Sequence, residues 1–251
     1  MNTEHSVSEK YVLILGAMSD VARALAKEYA SHGYHIIAAA RDEKRLIPLT
    51  HDINIRFGVK TFAIPFDAEQ TSTHANFYES LPTSPDVVIT VFGYLGNTEK
   101  GLSDWEEAAR IIQVNYTGAV SILNRIAIDM RQKKRGLIIG ISSVAGERGR
   151  QSNFLYGSAK SGFSAYLSGL RNMLYPHQVH VLTVKPGFIR TSMTEGMPLN
   201  PKLTANPEQV ARSIYAAGEK KKNTLYVLWM WKYIMCMIRN IPESVFKKMK
   251  L

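Results

Sequence analysis

The chain has 251 residues, 45% of them hydrophobic and 21% charged, enough for one α/β domain with a sizeable core, and no stretch reads as an interdomain linker. Its single cysteine, Cys236, excludes an intrachain disulfide, and the polar opening Met1–Lys10 lacks the apolar centre of a signal peptide, so a reducing, cytoplasmic setting is expected. The formal charge of +10 brings nucleic acid forward as a partner, a candidate that the placement of the charge argues against below.

Apolar runs at residues 11–15, 34–40, 60–66, 86–92, 137–142, 179–184 and 224–228 predict strands, with helical patterns between most of them. That alternation predicts the α/β class, a parallel sheet with helices on both faces. The first run leads into the turn Gly16–Asp20 and a helix over 21–30 that Gly33 closes. Strand, glycine turn and helix aim free backbone N–H groups at an anion such as a pyrophosphate, although an ordinary strand–helix connection reads the same way. Gly16 permits a tight turn, and Ala22 is small enough for the helix to lie close to the sheet. Asp20 beside a phosphate would repel it, so it is expected to cap its own helix.

The second run ends in Ala40-Arg41-Asp42. A carboxylate at this strand end selects the ribose hydroxyl of NAD, whereas an arginine accommodates the 2′-phosphate of NADP. Ala40 followed by Arg41 points to NADP, with Asp42 one position late for the NAD role. Asp67 ends the third run and suits a helix cap. Asn115, in Val-Asn-Tyr-Thr-Gly, is either satisfied locally or bends its helix.

Tyr156 and Lys160 then stand four residues apart, with Ser143 thirteen residues before the tyrosine. On a helix, that spacing puts the phenol and the ammonium on one face. A nearby cation is expected to lower the phenol pKa, and Ser143 could hydrogen-bond the same carbonyl oxygen. This is the equipment for protonating an alkoxide as a hydride arrives at carbon. Ser142 is the rival to Ser143. Arg148 and Arg150 lie between Ser143 and Tyr156, and one of them is expected to hold a substrate phosphate, the alternative being a solvated basic loop. Residues 188–205 show no clear period and are expected to form a substrate lid.

Taken together, Gly16-x-x-x-Asp20-Val21-Ala22, Asp67, Asn115, Ser143, Tyr156, Lys160 and Pro186-Gly187 resemble the short-chain dehydrogenase/reductases from about residue 10 to residue 215. The resemblance implies a Rossmann-type, doubly wound sheet of seven strands in the order 3-2-1-4-5-6-7. It also implies a nicotinamide cofactor, NADP or NAD, held by Gly16, Ser19, Asp20, Val21, Arg41, Asp67, Ala68, Gly93, Tyr156, Lys160, Ile189 and Thr191. Asp67 would accept from the adenine amino group, and Ile189 and Thr191 would meet the nicotinamide carboxamide. Asn115, Ser143, Tyr156 and Lys160 would be catalytic, no metal is called for, and a homo-oligomer is implied. The sequence departs from the family where Asp20 and Ala22 replace glycines and where Thr90-Val91-Phe92-Gly93 keeps only the last residue of Asn-Asn-Ala-Gly. Within the family, Ser142–Lys160 and the stretch Ile241–Met249 look most like the reductases of decaprenylphosphoryl-2-keto-ribose. That closer likeness implies a lipid-linked keto-sugar substrate and NADH. A soluble ketone, acyl, steroid-like or xenobiotic, is the alternative, as is a non-enzymatic nucleotide-binding scaffold.

From Gly218 onward, Lys220, Lys221, Lys222, Lys232, Arg239, Lys247, Lys248 and Lys250 face only Glu219 and Glu243, so this tail carries +6 of the net charge. The basic residues are interleaved with Trp229, Met230, Trp231, Tyr233, Ile234, Met235, Met237 and Ile238. A surface that apolar suits lipid or protein better than a phosphate backbone. Residues 226–239 are expected to form a helix too short to span a bilayer. A separate extension over 226–251, appended to a domain over 1–225, is therefore expected to contact a membrane peripherally through Trp229–Met249. Packing of Trp229 and Trp231 on the sheet or on a second subunit is the competing expectation.

Overall fold

The computed structural model describes residues 9–196 and 198–249; the polar opening Met1–Ser8 and Lys250, to which expectations were attached, lie outside the described residues. The first half contains β1 (Tyr11–Leu15), α1 (Asp20–Ser31), β2 (His35–Ala40), α2 (Ile47–Phe57), β3 (Thr61–Pro65), α3 (His74–Glu79), β4 (Val87–Thr90), α4 (Thr98–Ser103), α5 (Trp105–Ile112) and α6 (Gly118–Lys133). The second contains β5 (Gly136–Ile141), α7 (Phe154–Leu174), β6 (Val179–Pro186), β7 (Phe188–Ile189), β8 (Thr204–Ala205), α8 (Pro207–Glu219), β9 (Thr224–Val227), α9 (Met230–Asn240) and α10 (Glu243–Phe246).

All seven expected strands are present. They form one parallel sheet in the order β3-β2-β1-β4-β5-β6-β9, the doubly wound order expected. Strand alternation divides the core. Val12, Ile14, Ile36 and Ala38 face α1 and α8, whereas Leu13, Leu15, Ile37 and Ala39 face α6 and α7. Because both faces are covered, the strands read as unbroken apolar runs. The order reverses between β1 and β4, and the crevice at their carboxyl ends is where such a sheet binds ligands.

The tail belongs to this body. The expected boundary after residue 225 falls inside β9, which pairs with β6 from Thr183↔Thr224 to Pro186↔Val227. Leu228 adopts φ 62° and turns the chain, so the expected helix over 226–239 starts instead at Met230. Trp231 and Met235, four residues apart, are buried against Val144, with Ile234 and Ile238 beside them. Trp229 is 71% exposed, and Tyr233 and Met237 share its exposure. The packing expectation therefore holds for Trp231, and Trp229 stays exposed. No described helix is long and apolar enough to cross a membrane. The lid segment 188–205 carries structure of its own, as β7 pairs with β8 through Phe188↔Thr204 and Ile189↔Ala205.

Candidate active site

At the switch point a cleft of about 350 Å³ is lined by Gly16, Ser19, Arg41, Asp67, Ala68 and Gly93. Gly16 has φ 90°, and a Cβ there would stand 2.6 Å from the Phe92 nitrogen, so no other residue fits the turn. Ser19 is the N-cap of α1, its hydroxyl accepting from the Ala22 N–H at 3.2 Å. The expected capping by Asp20 is thus taken over by its neighbour. Asp20 instead accepts from the Ser192 N–H at 3.2 Å, which turns its charge toward the lid segment. The Val21 side chain belongs to the core, leaving only its backbone to face an anion. With a cradle that excludes a Cβ and a capped helix start, these residues fit a dinucleotide pyrophosphate.

Arg41 and Arg45 both line the cleft beyond β2, as does Arg110. Arg45 escaped the sequence reading because it sits in a short helical turn after the strand end. Asp42 is spent as the cap of that turn, accepting from the Lys44 N–H at 3.2 Å, which weakens its claim to a ribose hydroxyl. Asp67 accepts from the Glu69 N–H at 3.0 Å in a local turn and does not cap the next helical turn, Thr71–Thr73, whose N-cap is Gln70. Arg41 is 3.7 Å from Glu69 and its side chain is 66% exposed. We expect Arg41→Ala to weaken NADPH binding selectively over NADH, by about tenfold, the low end of the range for a charged hydrogen bond because solvent and Glu69 screen it. Fluorescence titration of both cofactors checks this, and equal losses would assign Arg41 no role in the choice.

Asn115 is 1% exposed in a π-helical turn, Gln113–Thr117, that joins α5 to α6. Its amide donates to the carbonyls of Ile111 at 2.8 Å and Tyr94 at 2.6 Å, so it is locally satisfied and its helix is locally rewound. A Cβ on Gly93 would lie 3.1 Å from Asn115 Oδ1 and 3.6 Å from Lys160 Nζ, placing both side chains behind the same floor residue of the cleft. Lys160 is 3% exposed and donates to the Ile141 carbonyl at 3.1 Å. Burial without a carboxylate partner brings its pKa down to about 8.

Tyr156 departs from expectation. Burial pushes its phenol up to about 12, with the Ser143 hydroxyl offsetting part of the rise. The lowering expected from the ammonium does not accompany it, with Lys160 Nζ 5.7 Å from the ring centroid. At neutral pH the tyrosine is a phenol able to give a proton. Ser143 accepts from the Ala145 N–H at 3.1 Å and lines a cavity with Tyr156. Ser142 is committed to the Lys160 carbonyl at 2.9 Å and to Ser164 at 2.7 Å, whereas Ser143 is the serine in the cavity wall.

The cavity that Ser143 and Tyr156 share measures about 920 Å³ and includes Arg150, Asn153, Phe188, Met193 and Trp231 in its wall. Met193 also lines the first cleft, so the two spaces adjoin. Ile189 and Thr191, expected to face a nicotinamide, line neither. Ile189 packs on the core and Thr191 caps the turn Ser192–Thr194. Their neighbours Phe188, Met193 and Thr194 take the lining positions. Trp231 is a wall residue missed from sequence, although its spacing with Met235 marks a buried stripe. Its indole donates to the Leu203 carbonyl at 3.1 Å and fills the space a Cβ on Gly187 would need.

Arg148 is taken out of the substrate site. It donates to the carbonyls of Ile238, Arg239 and Ile241 at 2.9, 3.0 and 2.6 Å and to Glu243 at 2.8 Å, and stacks on Phe246. It closes the carboxyl end of α9. Glu147, its side chain 3% exposed, adds a second tie, binding Lys185 at 2.8 Å, Tyr226 and Arg239 at 3.5 Å. The connection after Ser143 is thereby fastened to β6, β9 and α9 together.

Residues 10–201 match a family described as short chain dehydrogenase. An uncharacterized oxidoreductase of Mycobacterium tuberculosis is 31% identical over 241 residues, covering 95% of this chain and 96% of its own. The fold is similar to a short-chain dehydrogenase from Sphingobium yanoikuyae in complex with NADPH, at TM-score 0.80, 20% identity, and 94% and 97% coverage of the two chains. It is also similar to the bulky-bulky ketone specific alcohol dehydrogenase from Comamonas testosteroni, at TM-score 0.77, 20% identity, and 94% and 96% coverage.

Proposed function

This chain belongs to the short-chain dehydrogenase family, and we propose that it is an NADP(H)-dependent oxidoreductase interconverting a ketone and a secondary alcohol. The carrying observation is that Ser143 and Tyr156 share one cavity wall while Lys160 lies buried behind Gly93, the floor of the adjoining cleft. The nicotinamide, when bound, supplies or receives the hydride. Ser143 orients the carbonyl oxygen by donating to it. Tyr156 gives that oxygen a proton as negative charge develops there. Lys160, held on the Ile141 carbonyl, places a positive charge beneath the cleft. Asn115 fixes the π-helical turn behind Gly93 and so the backbone against which the cofactor would lie. Arg41 and Arg45 are the residues for a 2′-phosphate, and the relative solved with NADPH agrees with that choice.

We further propose a lipid-linked 2-keto-sugar, a polyprenylphosphoryl 2-keto-pentose, as the substrate. Support comes from a cavity that joins apolar walls at Val144, Phe188, Met193 and Trp231 to the polar run Arg150–Asn153. Exposed Trp229, Tyr233 and Met237 on α9, the helix that also carries Lys232, support peripheral contact with an anionic membrane from the cytoplasmic side. The test is spectrophotometric consumption of NADPH and NADH with a polyprenylphosphoryl 2-keto-pentose and a panel of soluble ketones. NADPH-dependent turnover with a higher kcat/KM for the lipid-linked sugar is expected. No turnover with any ketone would overturn the oxidoreductase assignment, and equal kcat/KM across the panel would overturn the lipid-linked substrate.

A further inference from the structure

Among the described residues, Arg150 is a cation held without a counter-ion. It lies on the same connection as Arg148, yet its surroundings are opposite. Arg148 spends its guanidinium on three carbonyls and Glu243, whereas Arg150 Nε is buried with no hydrogen-bond partner among the described residues. The nearest carboxylate in sequence, Glu147, is engaged by Lys185 and Arg239. Desolvation pulls the guanidinium pKa down, and no interaction compensates for it. A positive charge kept partly dry and unpaired is unfavourable for the fold alone. Its position matters, because Arg150 lines the cavity that contains Ser143 and Tyr156. Asn153, on the same wall, has a second orphan: its buried Oδ1 accepts no hydrogen bond from a described residue. A forked donor and an unsatisfied acceptor thus stand together beside the reacting groups.

We propose that Arg150 selects the substrate by binding an oxyanion, a phosphate or a carboxylate, on a molecule whose carbonyl lies against Ser143 and Tyr156, with Asn153 accepting from a hydroxyl of that molecule. This rests on the ketone reductase reading above and adds the residues that recognise the substrate's charge and hydroxyl. Glu99 also lines the cavity, so the bound anion must sit on the Arg150 side of it. Arginine suits this role because its planar fork engages two oxygens at once, which lysine does not match.

The experiment compares wild type, Arg150→Met and Arg150→Lys on three ketones of one skeleton, carrying a neutral group, a carboxylate or a phosphodiester, with NADPH. Arg150→Met should lower the ratio of anionic to neutral kcat/KM by roughly 10–150-fold, the span of a charged hydrogen bond. Arg150→Lys should recover part of that loss. The anion with the larger drop identifies the natural group. A ratio equal to that of wild type for both anions overturns the proposal, and so does a uniform loss on all three ketones, which would make Arg150 structural. A second arm does not depend on turnover. Calorimetric titration of the NADP-saturated protein with the phosphodiester alcohol should show binding that Arg150→Met abolishes. If wild type reduces none of the ketones, the reductase reading falls, and this titration still decides on Arg150: equal heats in both proteins reject it.

Discussion

Replacing Tyr156 with phenylalanine lowers kcat for ketone reduction by about 10²–10⁴-fold, the usual worth of a positioned general acid, and leaves cofactor binding nearly unchanged. The ring stays packed because only the hydroxyl is removed. Ser143 can still orient the carbonyl, but nothing in the cavity wall then delivers a proton to the forming alkoxide. Single-turnover kinetics with NADPH would show the loss, and wild-type turnover in Y156F would sink the mechanism. The pH profile carries a linked signature. Lys160 titrates near 8, down from 10.5, because it is buried, so it is charged at neutral pH and loses that charge as pH rises through about 8. Reduction should therefore hold level to about pH 7, fall to half near pH 8 and decline further above it, and Lys160→Met should remove that decline from the residual rate. Stability moves the other way. Between about 8 and 10 the unfolded lysine holds its proton and the folded one does not, so the stability this group contributes rises with pH across that window. Opposite trends in activity and melting temperature over the same range identify the buried lysine, and parallel declines would point to unfolding.

Replacing Trp231 with alanine costs roughly 3–5 kcal/mol, as for other buried aromatic residues cut to alanine, and lowers the melting temperature by about 2–4 °C for each of these. The loss is large because Trp231 packs with Met235 and Val144, donates to Leu203 and closes over Gly187. It also walls the cavity that holds Ser143 and Tyr156, so on the proposed function KM for a bulky ketone should rise more than kcat falls. Circular dichroism melts and steady-state kinetics check the two parts. A melting temperature within about 2 °C of wild type would show that α9 is not integral to the core. The same packing decides what truncation does. Removing residues 226–251 takes the end of β9, both buried residues of α9 and every acceptor of Arg148. Such a protein should lose activity on soluble ketones as well as any attachment to liposomes.

The seven strands are legible in the sequence because a parallel sheet covered on both faces leaves unbroken apolar runs, and none of these runs depends on a distant partner to be recognised. The spacing of Tyr156 and Lys160 is legible for a related reason: both sit on α7, where a helix fixes the geometry locally. Gly16 announces its turn through the residue type alone. What depends on the tertiary structure is what those groups experience. The ionisation of Tyr156 is set by desolvation summed over several segments, and a local ammonium does not override it. Asp20 reads as a helix cap until Ser192, 172 residues away, supplies the N–H it accepts. Arg148 and Arg150 are indistinguishable along the chain. Only the end of α9, arriving from some ninety positions further on, gives one of them four partners and leaves the other facing the cavity. Trp229 and Trp231 part in the same way. The helix turns one outward and the other into the core, because the backbone turn at Leu228 sets which face of α9 meets the sheet.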